Sequence, residues 1–163
     1  MSPPLHRSAQ RVADALRTAG ATGEVREFAV PTRTSAEAAA ALGCELAAIA
    51  SCLVFVADDE PIVVIKSGAH RVDLEHLGRQ LGGATVHQAD ADEVRAVTGQ
   101  PIGGVAPVNW PTSPRVLIDA TLEPIVEVWA AAGTPNAVFP TTYDELRRLT
   151  GATPVTVVAR TGR

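Results

Sequence analysis

Lysine is almost absent from this sequence. Lys66 is its only lysine, and the other thirteen of its fourteen basic residues are arginines. Acidic residues outnumber basic ones by 18 to 14, and the isoelectric point is near 5.5. A chain of this charge lacks the broad basic surface that drives sequence-independent binding to nucleic acid. Any contact with nucleic acid must therefore be local.

Long apolar runs and metal-binding patterns are missing as well. No apolar stretch reaches the roughly 18 residues of a membrane-spanning helix, and no signal-peptide pattern follows the first charges, so we expect a cytoplasmic protein without a membrane partner. Cys44 and Cys52 fit neither a redox pair nor a zinc knuckle, which favours buried thiols. The four histidines lack the helical spacing of metal ligands, so no metal site is predicted. They are His6, His70, His76 and His87.

Few aromatic residues are present, and the interior must be built from small and β-branched side chains. Aromatic residues make up 4% of the chain, whereas apolar residues make up 46%. A chain of 163 residues is long enough for one well-buried core, so we expect a single domain over residues 1–163.

Capping signals and apolar periodicity alternate irregularly along the chain. Helices are predicted over 4–19, 34–42, 73–81, 90–98 and 142–150, several of them ended by glycine. Strands are predicted over 23–30, 52–57, 61–66, 84–88, 115–119, 125–130, 137–140 and 154–159. Two of them, CLVFVA and PIVVIK, flank an acidic turn and indicate an antiparallel hairpin. The pattern predicts an α+β fold, with helices on a mixed β-sheet.

A loop with two adjacent glycines, GGVAP at 103–107, is the best candidate for a ligand site. Glycines let a backbone approach a ligand and leave N–H groups free to point at it, although such a turn can equally be structural. The spacing fits neither a dinucleotide-binding fingerprint nor a P-loop. Trp110, in the same proline-rich region, could stack on a base or pack over its own loop.

Five segments, in order and spacing, resemble the YbaK/ProX family of freestanding aminoacyl-tRNA editing domains, related to the domain inserted in bacterial prolyl-tRNA synthetases. They are ALGCELAAIASCLVF, SGAHRVDLEHLGRQLG, VTGQPIGGVAP, VLIDATL and AAGTPNAVFPTTYDELRRLTGA. The resemblance implies a compact mixed α/β fold that hydrolyses the ester joining a wrong amino acid to the 3′ end of a tRNA. It also implies the acceptor end of a mischarged tRNA as partner, with no DNA, metal or redox cofactor.

The same resemblance assigns candidate site residues. The family's G-G-x-x-P loop holds the aminoacyl carbonyl with its backbone, and fixed N–H donors there would stabilise the charge that the carbonyl develops. An acidic residue after the next strand and a later glycine turn also match. These positions are Gly103, Gly104, Val105, Ala106 and Pro107 in the loop, then Asp119, and then Gly133 with Thr134.

The family's chief functional lysine is replaced in this chain. Where the family has lysine followed by threonine at a strand start, this chain has Ser51 and Cys52, and Phe28 stands about where some relatives have tyrosine. Lys66 lies on the following strand. If the hairpin sets Leu53 opposite Lys66, then Ser51 is a diagonal neighbour on the same face, and the ammonium could return to the vacated position.

Other interpretations stay open. A lone lysine at a strand end can be incidental, and Ser51 or Cys52 could act as a nucleophile, although neither has an obvious base. The primary prediction is a deacylase. The alternative is a non-catalytic module that binds an amino acid, a nucleotide or a charged tRNA end. A third class, an interaction protein without a ligand site, requires that all N–H groups of the GGVAP loop are bonded internally.

Overall fold

All strands join one mixed β-sheet in the computed structural model, which describes residues 4–32 and 34–158. The sheet order is β1-β7-β6-β2-β3-β5-β8, and β4 pairs with β2. Three pairs are parallel, namely β2 with β6, β3 with β5 and β5 with β8. The strands are β1 (Arg26–Glu27), β2 (Ile49–Ala57), β3 (Glu60–Ser67), β4 (Val86–Gln88), β5 (Arg115–Asp119), β6 (Val128–Ala131), β7 (Ala137–Thr141) and β8 (Thr153–Val155).

Four of the five helices begin where the capping residues predict, whereas the first, predicted over 4–19, covers only Arg7–Thr18. Side-chain oxygens at the N-caps of α2, α3, α4 and α5 accept an N–H from the first turn, and a left-handed glycine ends α2, α4 and α5. Within the described ranges no helix is long and apolar enough to span a bilayer. The helices are α1 (Arg7–Thr18), α2 (Ser35–Leu42), α3 (Leu74–Gln80), α4 (Ala91–Thr98) and α5 (Tyr143–Thr150). The α+β prediction with a mixed sheet is therefore confirmed.

The predicted hairpin forms, but its predicted register is wrong. The turn consists of Asp58 and Asp59, both with positive φ (46° and 68°), as in a two-residue type I′ turn. Ser51 therefore pairs directly with Lys66, and Leu53 pairs with Val64 instead. The prediction that Leu53 faces Lys66 is off by two residues. Because side chains alternate with a period of two, this shift leaves Ser51 and Lys66 on one face.

Four strands are shorter than predicted, among them β4, which covers only Val86–Gln88 of the predicted 84–88. Of residues 23–30, only the two residues of β1 pair with β7, after which the Phe28 N–H donates to Asn136 O in the loop. The strand predicted over 125–130 begins at Val128, and the one predicted over 154–159 is limited to Thr153–Val155. The end of that last prediction, Ala159, lies outside the described residues.

One edge of β2 is divided between two partners. The edge opposite β3 pairs with β6 at Ile49 and Ala50, and with β4 only from Phe55 onward. Between these contacts, residues 51–53 have no neighbouring strand on that edge in the described part of the chain. The sheet therefore opens beside Ser51, where a buried strand of the hairpin can contact a ligand from the side.

Candidate functional site

A cavity of about 300 Å³ lies at the opening of the sheet. This volume is at the small end of the range for ligand sites. Its walls come from the start of β2, the first turn of α2, the loop at 101–107 and the turn at 131–137. The lining includes Ser35, Ser51, Cys52, Lys66, Gly103 and Val105. The cavity thus joins the glycine loop, the vacated lysine position and the lone lysine.

Along the glycine loop, backbone amides that donate a hydrogen bond within the protein alternate with amides that have no acceptor among the described residues. Gly104 N–H donates to Pro101 O at 3.1 Å, and Ala106 N–H donates to the side-chain oxygen of Gln100 at 2.7 Å. Gly103 and Val105 are among the residues that line the cavity, and their amides have no acceptor among the residues that the structure describes. The loop therefore does not satisfy all its N–H groups internally, as a purely structural turn would.

The second glycine of the loop is needed for packing. A Cβ at Gly104 would lie 2.7 Å from the Thr134 carbonyl carbon and 2.8 Å from its Cα. The Gly104 carbonyl also accepts the Gly133 N–H at 2.9 Å. A Cβ at Gly133, whose φ is +95°, would in turn approach the Val12 side chain at 2.8 Å. The two glycine turns and α1 thus hold one another in place, and they position the cavity wall at Thr134.

Lys66 is half-buried, and backbone carbonyls hold its ammonium group. Nζ donates to His70 O at 2.8 Å and to Ser67 O at 3.3 Å. Burial lowers the pKa of Lys66, whereas the negative charge of Asp119 raises it. An ammonium group has three protons, so two are directed at the turn after β3, and none of the described residues accepts the third. Since Lys66 also lines the cavity, that proton is available to a ligand.

A fully buried carboxylate anchors the turn that holds Lys66. Asp119 Oδ2 accepts the Ser67 N–H at 3.0 Å and lies 2.8 Å from His70 Nδ1, while Oδ1 accepts the N–H and the hydroxyl of Thr121. Burial alone would raise the pKa of Asp119, but these hydrogen bonds outweigh burial and lower it. An ionised carboxylate can only accept, so His70 Nδ1 carries the proton.

Ser51, Lys66 and Asp119 lie in a row across three adjacent strands. Ser51 pairs with Lys66, and Ile65 pairs with Ile118, so the next residues, Lys66 and Asp119, project to the same face. Asp119 is 0% exposed and does not line the cavity. It therefore acts on the site through the turn and through its charge.

The vacated lysine position is occupied by a pair of hydroxyl groups. Ser51 Oγ lies 3.1 Å from Ser35 Oγ, a contact between β2 and the first turn of α2. The neighbouring thiol is inert, because burial raises the pKa of Cys52 to about 12. Neither residue has a base beside it. The nucleophile alternative for Ser51 and Cys52 therefore finds no support in the contacts of the site.

Six predicted residues stand outside the cavity lining. Phe28 and Gly133 line a neighbouring depression, and Pro107 lines another with Trp110, on the far side of the loop. The Trp110 indole N–H donates to Ala106 O at 2.8 Å, so this side chain packs over its own loop. The remaining three, Gly104, Ala106 and Asp119, are turned inward by the bonds described above. All six lie in supporting or neighbouring positions relative to the cavity, and their role as ligand contacts stays a prediction.

The prediction did not name twelve of the residues that line the cavity, and two of these, Ser35 and Trp129, have side chains that shape it. Ser35 looked like a helix start, and its contact with Ser51 spans 16 residues of sequence. Trp129 lines the cavity from β6, with the Arg26 guanidinium 5.3 Å from its ring centroid. No local signal marks Ser35, but a tryptophan in a short strand of otherwise small apolar residues was an available sign for Trp129.

The cavity has donors but no general base. Among its described lining residues, none is a histidine, aspartate or glutamate, and Lys66 is the one charged side chain. The histidines make other contacts: His6 caps α1, His70 bonds to Asp119, His76 to Thr156 and His87 to a backbone carbonyl. This arrangement can bind a carbonyl or an anion, and it can polarise an ester.

Comparison with known proteins gives consistent findings. A family model described as an aminoacyl-tRNA editing domain matches residues 29–149. The uncharacterized protein YwhH of Bacillus subtilis is 32% identical over 124 residues, covering 76% of this chain and 78% of that protein. A proline–tRNA ligase of Lactobacillus acidophilus is 28% identical over 91 residues, covering 56% of this chain but only 16% of the ligase. A solved structure of a candidate trans-editing enzyme for prolyl-tRNA synthetase has a TM-score of 0.89 and 41% identity, covering 96% of this chain and 99% of that one.

Proposed function

The chain belongs to the aminoacyl-tRNA editing domain family, and from that premise we propose that it hydrolyses the ester of a mischarged tRNA in the cavity beside Ser51. The observation that carries the proposal is the pair of unpartnered amides at Gly103 and Val105. They would receive the ester carbonyl oxygen and stabilise the negative charge that forms on it when water attacks. In known oxyanion holes one such donor contributes roughly 2.7–4 kcal/mol to the transition state.

Lys66 supplies the positive charge that the family's lysine otherwise provides at the position of Ser51. Its ammonium group reaches the same face from the adjoining strand, and the carbonyls of Ser67 and His70 fix its direction. The third proton is then directed to the substrate, where it can hold an oxygen of the terminal ribose or phosphate. Burial lowers the pKa of Lys66, and the negative charge of Asp119 acts against that shift and in favour of the cationic form.

No side chain of the described lining can remove a proton from water at neutral pH. The attacking water must therefore be oriented by the amides and by the substrate, and its proton must pass to the substrate or to solvent. Catalysis then depends on position and on transition-state charge, and these terms survive the replacement of the family's lysine. We expect an altered rate compared with a site that has lysine at position 51.

The absence of a base favours a second function, a binding module that holds a charged tRNA end without hydrolysing it. The two functions differ in a direct assay. Purified protein is mixed with tRNAs charged with alanine, serine or cysteine, at protein concentrations comparable with the substrate, and release of the amino acid is followed. Release from any of these substrates supports the deacylase. Binding of the charged tRNAs without release supports the module.

The role of Lys66 is tested by removing its charge and then restoring a charge from the neighbouring strand. Lys66→Met keeps the length of the side chain, and we expect it to lower the deacylation rate by about tenfold or more. Adding Ser51→Lys to that variant returns an ammonium group to the position directly opposite, and this should recover much of the rate. The control is Glu60→Gln, an exposed change on the same strand outside the cavity, with no expected effect. Undiminished turnover of Lys66→Met would contradict the assignment.

A further inference from the structure

Two shallow grooves continue the cavity across the protein surface. Thr134 and Pro135 line both the cavity and the first groove, which also contains Phe28 and Asn136. His6 and Ser8 line this groove and also the second one, at the start of α1. The shared walls make one path from the cavity, over the turn at 133–136, to the first two turns of α1.

Two free arginines stand at the end of this path. Arg7 and Arg11 line the second groove, are exposed, and are four residues apart, so they lie on one face of α1. Within 4–32 and 34–158, no carboxylate lies within ion-pairing distance of either guanidinium. By contrast, Arg17 pairs with Asp14 and Arg148 pairs with Glu145.

One acidic residue lies along the path, between the lysine of the cavity and the two arginines of α1. Glu27, in the first groove, already accepts the His6 N–H at 3.0 Å. Arg71, Arg79, Arg95 and Arg115 likewise make no ion pair with a described residue, but of these six arginines only Arg7 and Arg11 line the grooves that join the cavity. Guanidinium groups bind phosphate oxygens in a bidentate manner, and a nucleic acid strand carries a phosphate at every nucleotide. Residues 7 and 11 also precede the part of the chain that the family model matches.

We propose that this path carries the 3′ strand of the tRNA, with Arg7 and Arg11 binding its phosphates. The inference rests on the proposed function, because an ester held in the cavity leaves the polynucleotide to exit along a surface. The turn at 133–136 is the wall that the cavity and the first groove share. The strand would therefore cross that turn and reach α1, where the two arginines bind it without reading its bases.

The test compares two variants of equal charge. Arg7→Gln/Arg11→Gln removes the proposed contacts, and Arg79→Gln/Arg95→Gln removes two exposed arginines from α3 and α4. Glutamine is a good helix former, so both variants should keep their helices. The probe is unacylated tRNA with a fluorophore at its 5′ end, and binding is followed by fluorescence anisotropy over a series of NaCl concentrations.

We expect the α1 variant to bind several-fold more weakly than the native protein at low salt. Its plot of log binding constant against log salt should be shallower by about 1.4, because two single-strand phosphate contacts are lost at roughly 0.7 each. The control variant should keep the native slope. Equal slopes for the two variants, or no binding of tRNA by the native protein, would overturn the proposal.

A second substrate separates this inference from the proposed function. Adenosine esterified with an amino acid at its 3′ oxygen has no phosphate and should be hydrolysed equally by the native protein and the α1 variant. Only hydrolysis of full charged tRNA should fall in that variant. If the native protein hydrolyses neither substrate, the proposed deacylase function is refuted but the phosphate contacts are not, since the salt dependence of binding is measured without hydrolysis. A fall in the hydrolysis of both substrates would contradict the phosphate contacts.

Discussion

Asp119→Asn tests whether one buried carboxylate holds the turn that directs Lys66. The carboxylate accepts four hydrogen bonds, two on each oxygen, from Ser67, His70 and Thr121. An amide has one oxygen and an NH₂ group that can only donate. Whichever way it is turned, two of the four donors face another donor, while the shape of the side chain is unchanged.

The structure sets the size of the effect. If the amide oxygen stays with Thr121, the Ser67 N–H is left without an acceptor in a residue that is 1% exposed, and His70, whose side chain is 24% exposed, can turn to water. A buried unsatisfied donor costs about 1–3 kcal/mol, and a lost bond to a charged acceptor costs about 1.5–3 kcal/mol. We therefore expect the free energy of unfolding to fall by roughly 2–4 kcal/mol at neutral pH.

The loss should depend on pH in one direction. The folded state lowers the pKa of Asp119, so ionisation of this group stabilises the fold fully above its unfolded pKa of about 3.9 and progressively less as pH falls through the lower folded value. The gap between native protein and variant should thus be largest near neutral pH and shrink in acid. Urea unfolding at neutral and acidic pH measures it.

A matched control and a second readout make the test decisive. Asp92→Asn changes an exposed carboxylate in the first turn of α4 and should cost under about 1 kcal/mol. In the deacylation assay Asp119→Asn should also be slower, because the carbonyls that hold Lys66 lose their anchor. A change below about 0.5 kcal/mol with an unaltered pH profile would refute the role of Asp119, since surface substitutions commonly fall in that range.

Two further substitutions address the turn and the glycine loop. Asp59→Gly should raise the free energy of unfolding in urea by about 0.5–1 kcal/mol, because residue 59 has φ 68° and glycine adopts this conformation without strain. A lower free energy of unfolding would contradict the turn assignment. Gly104→Ala should lower the deacylation rate more strongly than Gly103→Ala. The Cβ of an alanine at position 104 would collide with the Thr134 backbone. A Cβ at position 103 meets no atom within 4 Å, so that only the backbone strain of φ +88° remains. Equal effects of the two alanines on rate would argue against a shared cavity wall at Thr134.

Helix positions could be predicted from sequence because their signals are local. Thr34 and Asp90 each bond to an N–H three residues ahead, and Gly43 and Gly99 end the same helices in the left-handed conformation. The hairpin was predictable for the same reason, since two apolar runs flank a short acidic turn. The register of the hairpin could not be predicted. Closing it with Asp58 opposite Pro61 or with Ala57 opposite Glu60 leaves the same apolar side chains on each face of the sheet.

The placement of site residues depended on contacts between distant segments. The resemblance placed Asp119 among ligand contacts, but the loop after β3 covers it, and its bond to Ser67 spans 52 residues. Similarly, the meeting of Gly104 with Thr134 turns one glycine of the loop inward and leaves the other at the cavity. Neither packing has a signature in the local sequence. The residue types predicted a glycine loop at the site. The fold determines which residues of that loop line the cavity and which pack against the protein.

The row of Ser51, Lys66 and Asp119 is the basis for proposing that a displaced lysine serves this site. Moving the ammonium group one strand away from the cavity opening places it next to a carboxylate that would neutralise it if the two formed a direct pair. Asp119 instead directs its oxygens at Ser67, His70 and Thr121, while Lys66 is held by carbonyl groups. The negative charge of Asp119 thus opposes the lowering of the Lys66 pKa by burial, without occupying the donors of the lysine. In the proposed function, a cationic donor without a base would attract the anionic tRNA end and polarise its ester, and the amides of Gly103 and Val105 would orient the water.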